Sequence, residues 1–139
     1  MQTLRRLCAI LLLASPLVYG AGTLSPESIE GTTRIDAETL IDLLDSEDDL
    51  VIIDARIPAD REGGYIEGAI FLPDTETTNA ALAQNIPHKS NPVVFYCNGE
   101  KCGRSVKSAK MAVQAGYSRI YWFRGGWEEW LAKGLPVTK

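Results

Sequence analysis

An α/β fold with a central parallel sheet and helices on both faces is what this sequence predicts, on three observations. Short apolar runs at residues 50–53, 69–72, 93–96 and 120–123 alternate with segments of helical period, and strands that alternate with helices pair in parallel. The run Leu50-Val51-Ile52-Ile53 is apolar at every position and largely β-branched, the pattern of a strand buried on both faces. Glycine and proline fall at the joins between these segments, where the chain must stop one element and enter the next.

In chain order, residues 21–33 are rich in Gly, Ser, Thr and Pro and read as a loose leader, so the domain is expected over 34–139. Asp36 can cap a helix over 37–45, with Leu40, Ile41, Leu43 and Leu44 as its apolar stripe. The strand at 50–53 runs into Asp54-Ala55-Arg56, and Gly63-Gly64 breaks the chain. A second strand at 69–72 is stopped by Pro73, and a short helix follows over 78–84. The third strand, 93–96, leads to a polar loop and then a helix over 104–115. That helix turns Val106, Ala109, Ala112 and Val113 inward and closes at Gly116. After the fourth strand, 120–123, Gly125-Gly126 leads into a last helix over 127–133, closed by Gly134 and Pro136. Trp122, Trp127 and Trp130 are expected in the core or at a pocket rim.

The first twenty residues differ from the rest. Arg5 and Arg6 form a basic start, residues 7–19 are almost wholly apolar, and no acidic residue occurs before Glu27. Val18-Tyr19-Gly20 supplies a small residue at the last position of a cleavage triplet. This is the layout of a secretory signal peptide over 1–20. Thirteen apolar residues fall short of the roughly 20 that a spanning helix needs, so no stable membrane span is expected. Cys8 leaves with this segment. The mature protein is expected in the periplasm or secreted.

Charge narrows the partners. The net charge of −4 becomes −6 when the signal, with two arginines and no acids, is removed. Residues 21–88 carry 15 acidic and 3 basic side chains, residues 89–139 carry 9 basic and 3 acidic. So acidic a chain argues against nucleic acid as a partner. The positive half holds the polar loop after the third strand, and either favours anions there or is one of two solvated surfaces of opposite sign.

That loop, Cys97-Asn98-Gly99-Glu100-Lys101-Cys102-Gly103-Arg104-Ser105, holds both cysteines of the mature chain. An even count in an oxidising compartment usually means a structural disulfide. A bridge closing so small a loop removes little unfolded-state entropy, however, so the spacing is better explained by chemistry. It is not a zinc pattern, because no second cysteine pair exists and His88, the single histidine, sits in a turn-rich surface stretch. In parallel sheets functional groups collect beyond the carboxyl ends of the strands, where Cys97 lies. Inward amides of the loop, the helix N-terminus with about half a positive charge, Lys101 and Arg104 together form an anion cradle. A thiol there is expected to ionise well below its ordinary pKa. The residues alone therefore predict a thiolate nucleophile or an anion site at Cys97.

Several ordered pieces resemble the rhodanese family. Val51-Ile52-Ile53-Asp54-Ala55-Arg56 resembles its strand ending in Asp-x-Arg. Gly64-Tyr65-Ile66-Glu67-Gly68-Ala69 resembles its Gly-His-Ile-x-Gly-Ala stretch, with Tyr65 in place of histidine. Val94-Phe95-Tyr96-Cys97 resembles the strand that delivers the catalytic cysteine, and Arg104-Ser105 the pair that closes the loop. Ala115-Gly116-Tyr117 and Phe123-Arg124-Gly125-Gly126-Trp127-Glu128-Glu129-Trp130 resemble its late pieces. The resemblance runs from Asp36 to Val137 and implies a single rhodanese-like domain. It implies a persulfide mechanism on Cys97, with the loop from Asn98 to Ser105 binding the substrate anion and with no metal or cofactor. It also gives Asp54 and Arg56 the role of bracing the loop ends. One feature departs from the family. Common single-domain members run Cys-x4-Arg and the related phosphatases Cys-x5-Arg, whereas this chain runs Cys97-x6-Arg104, with Gly99 and Gly103 expected to permit the extra turn.

Three functions are compatible with these residues. The leading one is an exported sulfurtransferase taking sulfur from a small donor such as thiosulfate and giving it to a thiol or cyanide. The second is a thiol–disulfide protein that cycles Cys97 and Cys102, with a redox protein as partner. The third is a binding module that carries sulfur or another anion without turnover. Cys97 and Cys102 are expected to form a reversible disulfide when no donor is present, with Cys102 as a resolving cysteine.

Overall fold

The sheet has five strands, all parallel, in the order β1-β5-β4-β2-β3. The computed structural model describes residues 23–139. The expected signal peptide over 1–20, Cys8 included, lies outside the described residues. The elements are β1 (Thr33–Ile35), α1 (Ala37–Ser46), β2 (Val51–Asp54), α2 (Pro58–Arg61), β3 (Ile70–Phe71), α3 (Asn79–Asn85), β4 (Val93–Tyr96), α4 (Arg104–Gln114), β5 (Ile120–Phe123) and α5 (Gly126–Ala132). Among the described residues no helix is long and apolar enough to cross a membrane.

Alternation along the strands builds two cores. Ile53, Val93, Phe95, Ile120 and Trp122 point to one face, where they meet Leu82 of α3 and Val106, Ala109 and Ala112 of α4. Ile52, Val94, Tyr96 and Phe123 point to the other, where they meet Ala37 and Leu40 of α1 and Trp127 and Trp130 of α5. Helices thus cover both faces, which is why β4 is buried at every position. Caps fix the helix starts: the Asp36 carboxylate accepts from the Thr39 amide at 2.9 Å and the Thr78 hydroxyl from the Ala81 amide at 3.1 Å.

Two elements differ from the sequence expectation by being there at all. β1 pairs with β5 at the sheet edge, although Thr33 and Arg34 are exposed. The one-turn α2 has no buried residue, and tertiary hydrogen bonds hold it, as described below. Residues 23–33, read from composition as a loose leader, are also fastened: Ile29 is buried, and the buried Arg124 guanidinium donates to the Pro26 and Ser25 carbonyls at 2.9 and 3.0 Å. The register aligns Asp54 with Tyr96 and Tyr96 with Phe123. Asp54, Cys97 and Arg124 therefore emerge along one carboxyl edge.

Candidate active site

Cys97 leaves β4 at that edge and is 2% exposed. Its backbone carbonyl accepts from the Trp127 amide at 2.9 Å, and the Asn98 carbonyl accepts from the Glu128 amide at 2.8 Å. The first amides of α5, which lack partners within their own helix, thus hold the start of the loop. Gly126 makes this docking feasible. Its φ is +55°, and a side-chain carbon there would overlap the Cys97 carbonyl.

The loop then folds back. The Cys102 amide donates to the Gly99 carbonyl at 3.0 Å, closing a turn over Glu100 and Lys101. The turn brings Cys102 to a Cα separation of 6.3 Å from Cys97, and the two sulfurs are joined in a disulfide. The glycines contribute differently from expectation. Neither Gly99 nor Gly103 has a positive φ, so the turn does not draw on their left-handed freedom. Gly99 instead makes room for the Glu128 carboxylate, and Gly103 borders open space.

Two donors converge on the Cys97 sulfur from the first turn of α4. The Ser105 amide lies 3.4 Å from Sγ and the Ser105 hydroxyl 3.1 Å. The Trp122 indole donates to Ser105 Oγ at 3.0 Å, so the hydroxyl proton is left to point at sulfur. With the helix N-terminus behind them, these groups turn their positive ends toward the Cys97 sulfur.

Three further loop residues, Arg104, Asn98 and Glu100, are tethered through their side chains. Arg104 pairs with Asp74 at 2.9 Å, and Lys107 reaches the other oxygen of Asp74 at 3.5 Å. Asn98 donates to Asp60 at 2.8 Å. Glu100 pairs with Arg124 at 2.8 Å, and its carbonyl accepts from the Ser25 amide at 2.7 Å. Over the loop opens a cleft of about 530 Å³ whose lining includes Asp60, Asp74, Lys101, Cys102, Arg104 and Glu128. Cys102 lines this cleft, whereas Cys97 does not. Cys97 lies beneath it.

Asp54 and Arg56 form a fully buried pair behind the loop, with Arg56 Nε and Nη2 donating to the two carboxylate oxygens at 2.9 and 2.8 Å. Tyr96 OH and Arg61 also donate to Asp54, each at 3.0 Å. Burial, and then the Asp54 charge, push the Tyr96 phenol far above its ordinary pKa, so it stays a neutral donor. Burial opposes the charge on Arg56, but Asp54 outweighs it and raises the guanidinium's already high pKa. Neither Asp54 nor Arg56 bonds to a loop residue. Arg56 Nη1 instead holds the Asp60 carbonyl in α2 at 3.1 Å, and the Asp60 carboxylate holds Asn98. Among the described residues no group of three or more His, Cys, Asp or Glu is placed to hold a metal ion.

Asp60, Asp74, Glu128 and the Trp122–Ser105 bond were not marked by the sequence pattern. They come from separate elements, and only Trp122, as a large aromatic in a strand, carried any local signal.

Comparison with known proteins agrees with this architecture. The model of the rhodanese-like domain family matches residues 36–133. A sulfurtransferase of Allochromatium vinosum is 34% identical over 105 residues, covering 76% of this chain and 94% of that protein. The structure of a thiosulfate sulfurtransferase from Pseudomonas aeruginosa superposes with a TM-score of 0.66 at 25% identity, over 77% of this chain and 20% of that one. A human single-domain sulfurtransferase shares the fold with a TM-score of 0.60 at 24% identity, over 73% of this chain and 97% of that one.

Proposed function

The chain belongs to the rhodanese-like domain family, and from that membership we propose that it is an exported sulfurtransferase. It acts in the periplasm or outside the cell, moving sulfane sulfur from a donor such as thiosulfate to a thiol or cyanide through a persulfide on Cys97. One observation carries the reading: a buried sulfur at the carboxyl end of β4 receives the amide and hydroxyl of Ser105 at the N-terminus of α4.

The steps follow from that placement once Cys97 is reduced. Its thiolate attacks the outer sulfur of thiosulfate. A bond forms between Sγ and that sulfur while the bond to the sulfonate sulfur breaks, and sulfite leaves with the electron pair. The Cys97 persulfide inherits the Ser105 donors. The acceptor, a thiolate or cyanide, then takes the outer sulfur, and Cys97 leaves as thiolate. The Asp54–Arg56 pair acts by position, holding α2 and through Asp60 the Asn98 end of the loop.

The test is thiosulfate:cyanide transfer by pre-reduced protein beside Cys97→Ser. The variant is expected to lose activity about a thousandfold or more, as when other covalent nucleophiles are removed. An undiminished variant overturns the reading. Export is checked by N-terminal sequencing, expected to start near Ala21; a membrane-bound product retaining residues 7–19 rejects it. The Cys97–Cys102 disulfide favours a second reading, a thiol–disulfide protein. That reading requires Cys97→Ser and Cys102→Ser to fail alike in thiol–disulfide exchange.

A further inference from the structure

Cys102 has no part in the transfer described above, yet the fold brings it onto the nucleophile. The Cys102 amide closes the turn at Gly99, the Cα separation of 6.3 Å lies within the range of about 4.4–6.8 Å that a bridge requires, and the bridge forms. The two sulfurs are unequal. Cys97 is buried and faces the Ser105 donors, whereas Cys102 is half-buried and faces the cleft.

We propose that Cys102 is a resolving cysteine, giving the protein a second activity as a sulfane-sulfur reductase that releases hydrosulfide and draws its electrons from an external dithiol. The proposal rests on the persulfide reading of Cys97. In the resolving step the Cys102 thiol loses its proton and attacks Sγ of the Cys97 persulfide. The Cys102–Cys97 bond forms, and the bond from Sγ to the outer sulfur breaks. The outer sulfur departs with the electron pair and the proton as HS⁻. It is reduced from sulfane to sulfide, and the two cysteine sulfurs are oxidised to the disulfide. The attacked atom, Cys97 Sγ, is the one to which Cys102 is bonded in the structure, so no new approach is needed. As a tethered thiol, Cys102 competes well with dissolved acceptors.

The reverse half-cycle follows from the same asymmetry. An incoming thiol meets Cys102 first, because Cys102 lines the cleft and is half-buried whereas Cys97 is 2% exposed. Its attack forms a mixed disulfide on Cys102 and expels Cys97, the better leaving group because Ser105 stabilises its thiolate. The second thiol of the dithiol then frees Cys102 and closes its own disulfide. Each sulfide released thus consumes one dithiol.

The experiment uses reduced wild type and Cys102→Ser, stripped of reductant and given thiosulfate without oxygen, with sulfide and intact mass measured together. Wild type is expected to release about one equivalent of sulfide per chain and to finish as the internal disulfide with no sulfur gained. Cys102→Ser is expected to gain about 32 Da as the persulfide and to release no sulfide until a dithiol is added. Cys102→Ala should behave as Cys102→Ser does. If both wild type and Cys102→Ser hold the persulfide stably, or both release sulfide at the same rate, Cys102 is not a resolving cysteine. If neither takes up sulfur, the sulfurtransferase reading fails, and this proposal with it.

Discussion

Replacing Gly126 by alanine tests how tightly the start of α5 fixes Cys97, the proposed nucleophile. The added carbon lies 3.1 Å from the Cys97 carbonyl carbon and 3.2 Å from that of Asn98, and it overlaps the Cys97 carbonyl oxygen. All these neighbours are backbone, so no side chain can rotate away. Two effects add. A φ of +55° at alanine costs about 1–2 kcal/mol. Forcing backbone apart in a packed site costs about 1–3 kcal/mol more. The sum, about 2–5 kcal/mol, corresponds to a fall in Tm of roughly 8–20 °C for a domain of about 120 residues. Relieving the overlap also moves the Cys97 carbonyl by something like 1 Å, and a misplacement of that size can lower the rate about a hundredfold. Gly116→Ala separates the two effects. Its φ is +91°, but nothing lies within 4 Å of the added carbon, so it should show the conformational cost without the loss of rate. Thermal melts and thiosulfate:cyanide transfer on both variants give the answer. Equal stability and equal activity in Gly126→Ala and Gly116→Ala refute the claim that this contact sets the position of Cys97.

Two further substitutions address the supports of the site. Asp54→Asn leaves the Arg56 guanidinium fully buried without its counter-charge and is expected to cost about 3–5 kcal/mol in denaturant unfolding; a loss below about 1 kcal/mol shows the pair is dispensable. Trp122→Phe keeps a large ring in the core but removes the indole donor to Ser105 Oγ. The rate of sulfur uptake by the reduced protein should fall, because the Ser105 hydroxyl is no longer held toward Cys97; an unchanged rate assigns that bond to packing alone.

The parts of the fold that were legible are those where local pattern and final burial coincide. Residues 93–96 and 120–123 are apolar runs ending in strands β4 and β5, which have those same limits because both strands are covered on both faces. Asp36 announces its helix because a cap is a local bond over three residues, whereas Thr78, read as the first helical residue, is the cap of α3. β1 was not legible, since an edge strand of three residues with two exposed side chains has no alternation to detect. Nor was α2, whose position depends on the Arg56 bond to the Asp60 carbonyl. The same division runs through the site. Cys97, its loop and Ser105 are contiguous and were readable as a unit. Asp74 lies 30 positions from Arg104, and Asp60 lies 38 from Asn98, so only the folded chain brings them together.

This long-range pairing changes the electrostatic account of Cys97. The excess of basic residues after position 88 suggested a broad field drawing anions to Cys97. In the folded protein Arg104 and Lys107 share Asp74, Arg124 pairs with Glu100 and Glu27, and Asp60 and Glu128 add their carboxylates to the cleft. Exposed charges separated by more than about 8–10 Å are screened at physiological salt. With these cations paired at close range, and with Lys101, which makes no ion pair among the described residues, set against the Asp60 and Glu128 carboxylates of the same cleft, little unbalanced field remains to act over longer distances. Stabilisation of the sulfur anion therefore falls to the groups within 3.1–3.4 Å of it, the hydroxyl and amide of Ser105, held in turn by Trp122 and the first turn of α4. Such short-range, largely buried donors are insensitive to salt and set by packing. The proposed reactivity of Cys97 is thus tied to the integrity of the core beneath it more than to the basic residues around the cleft.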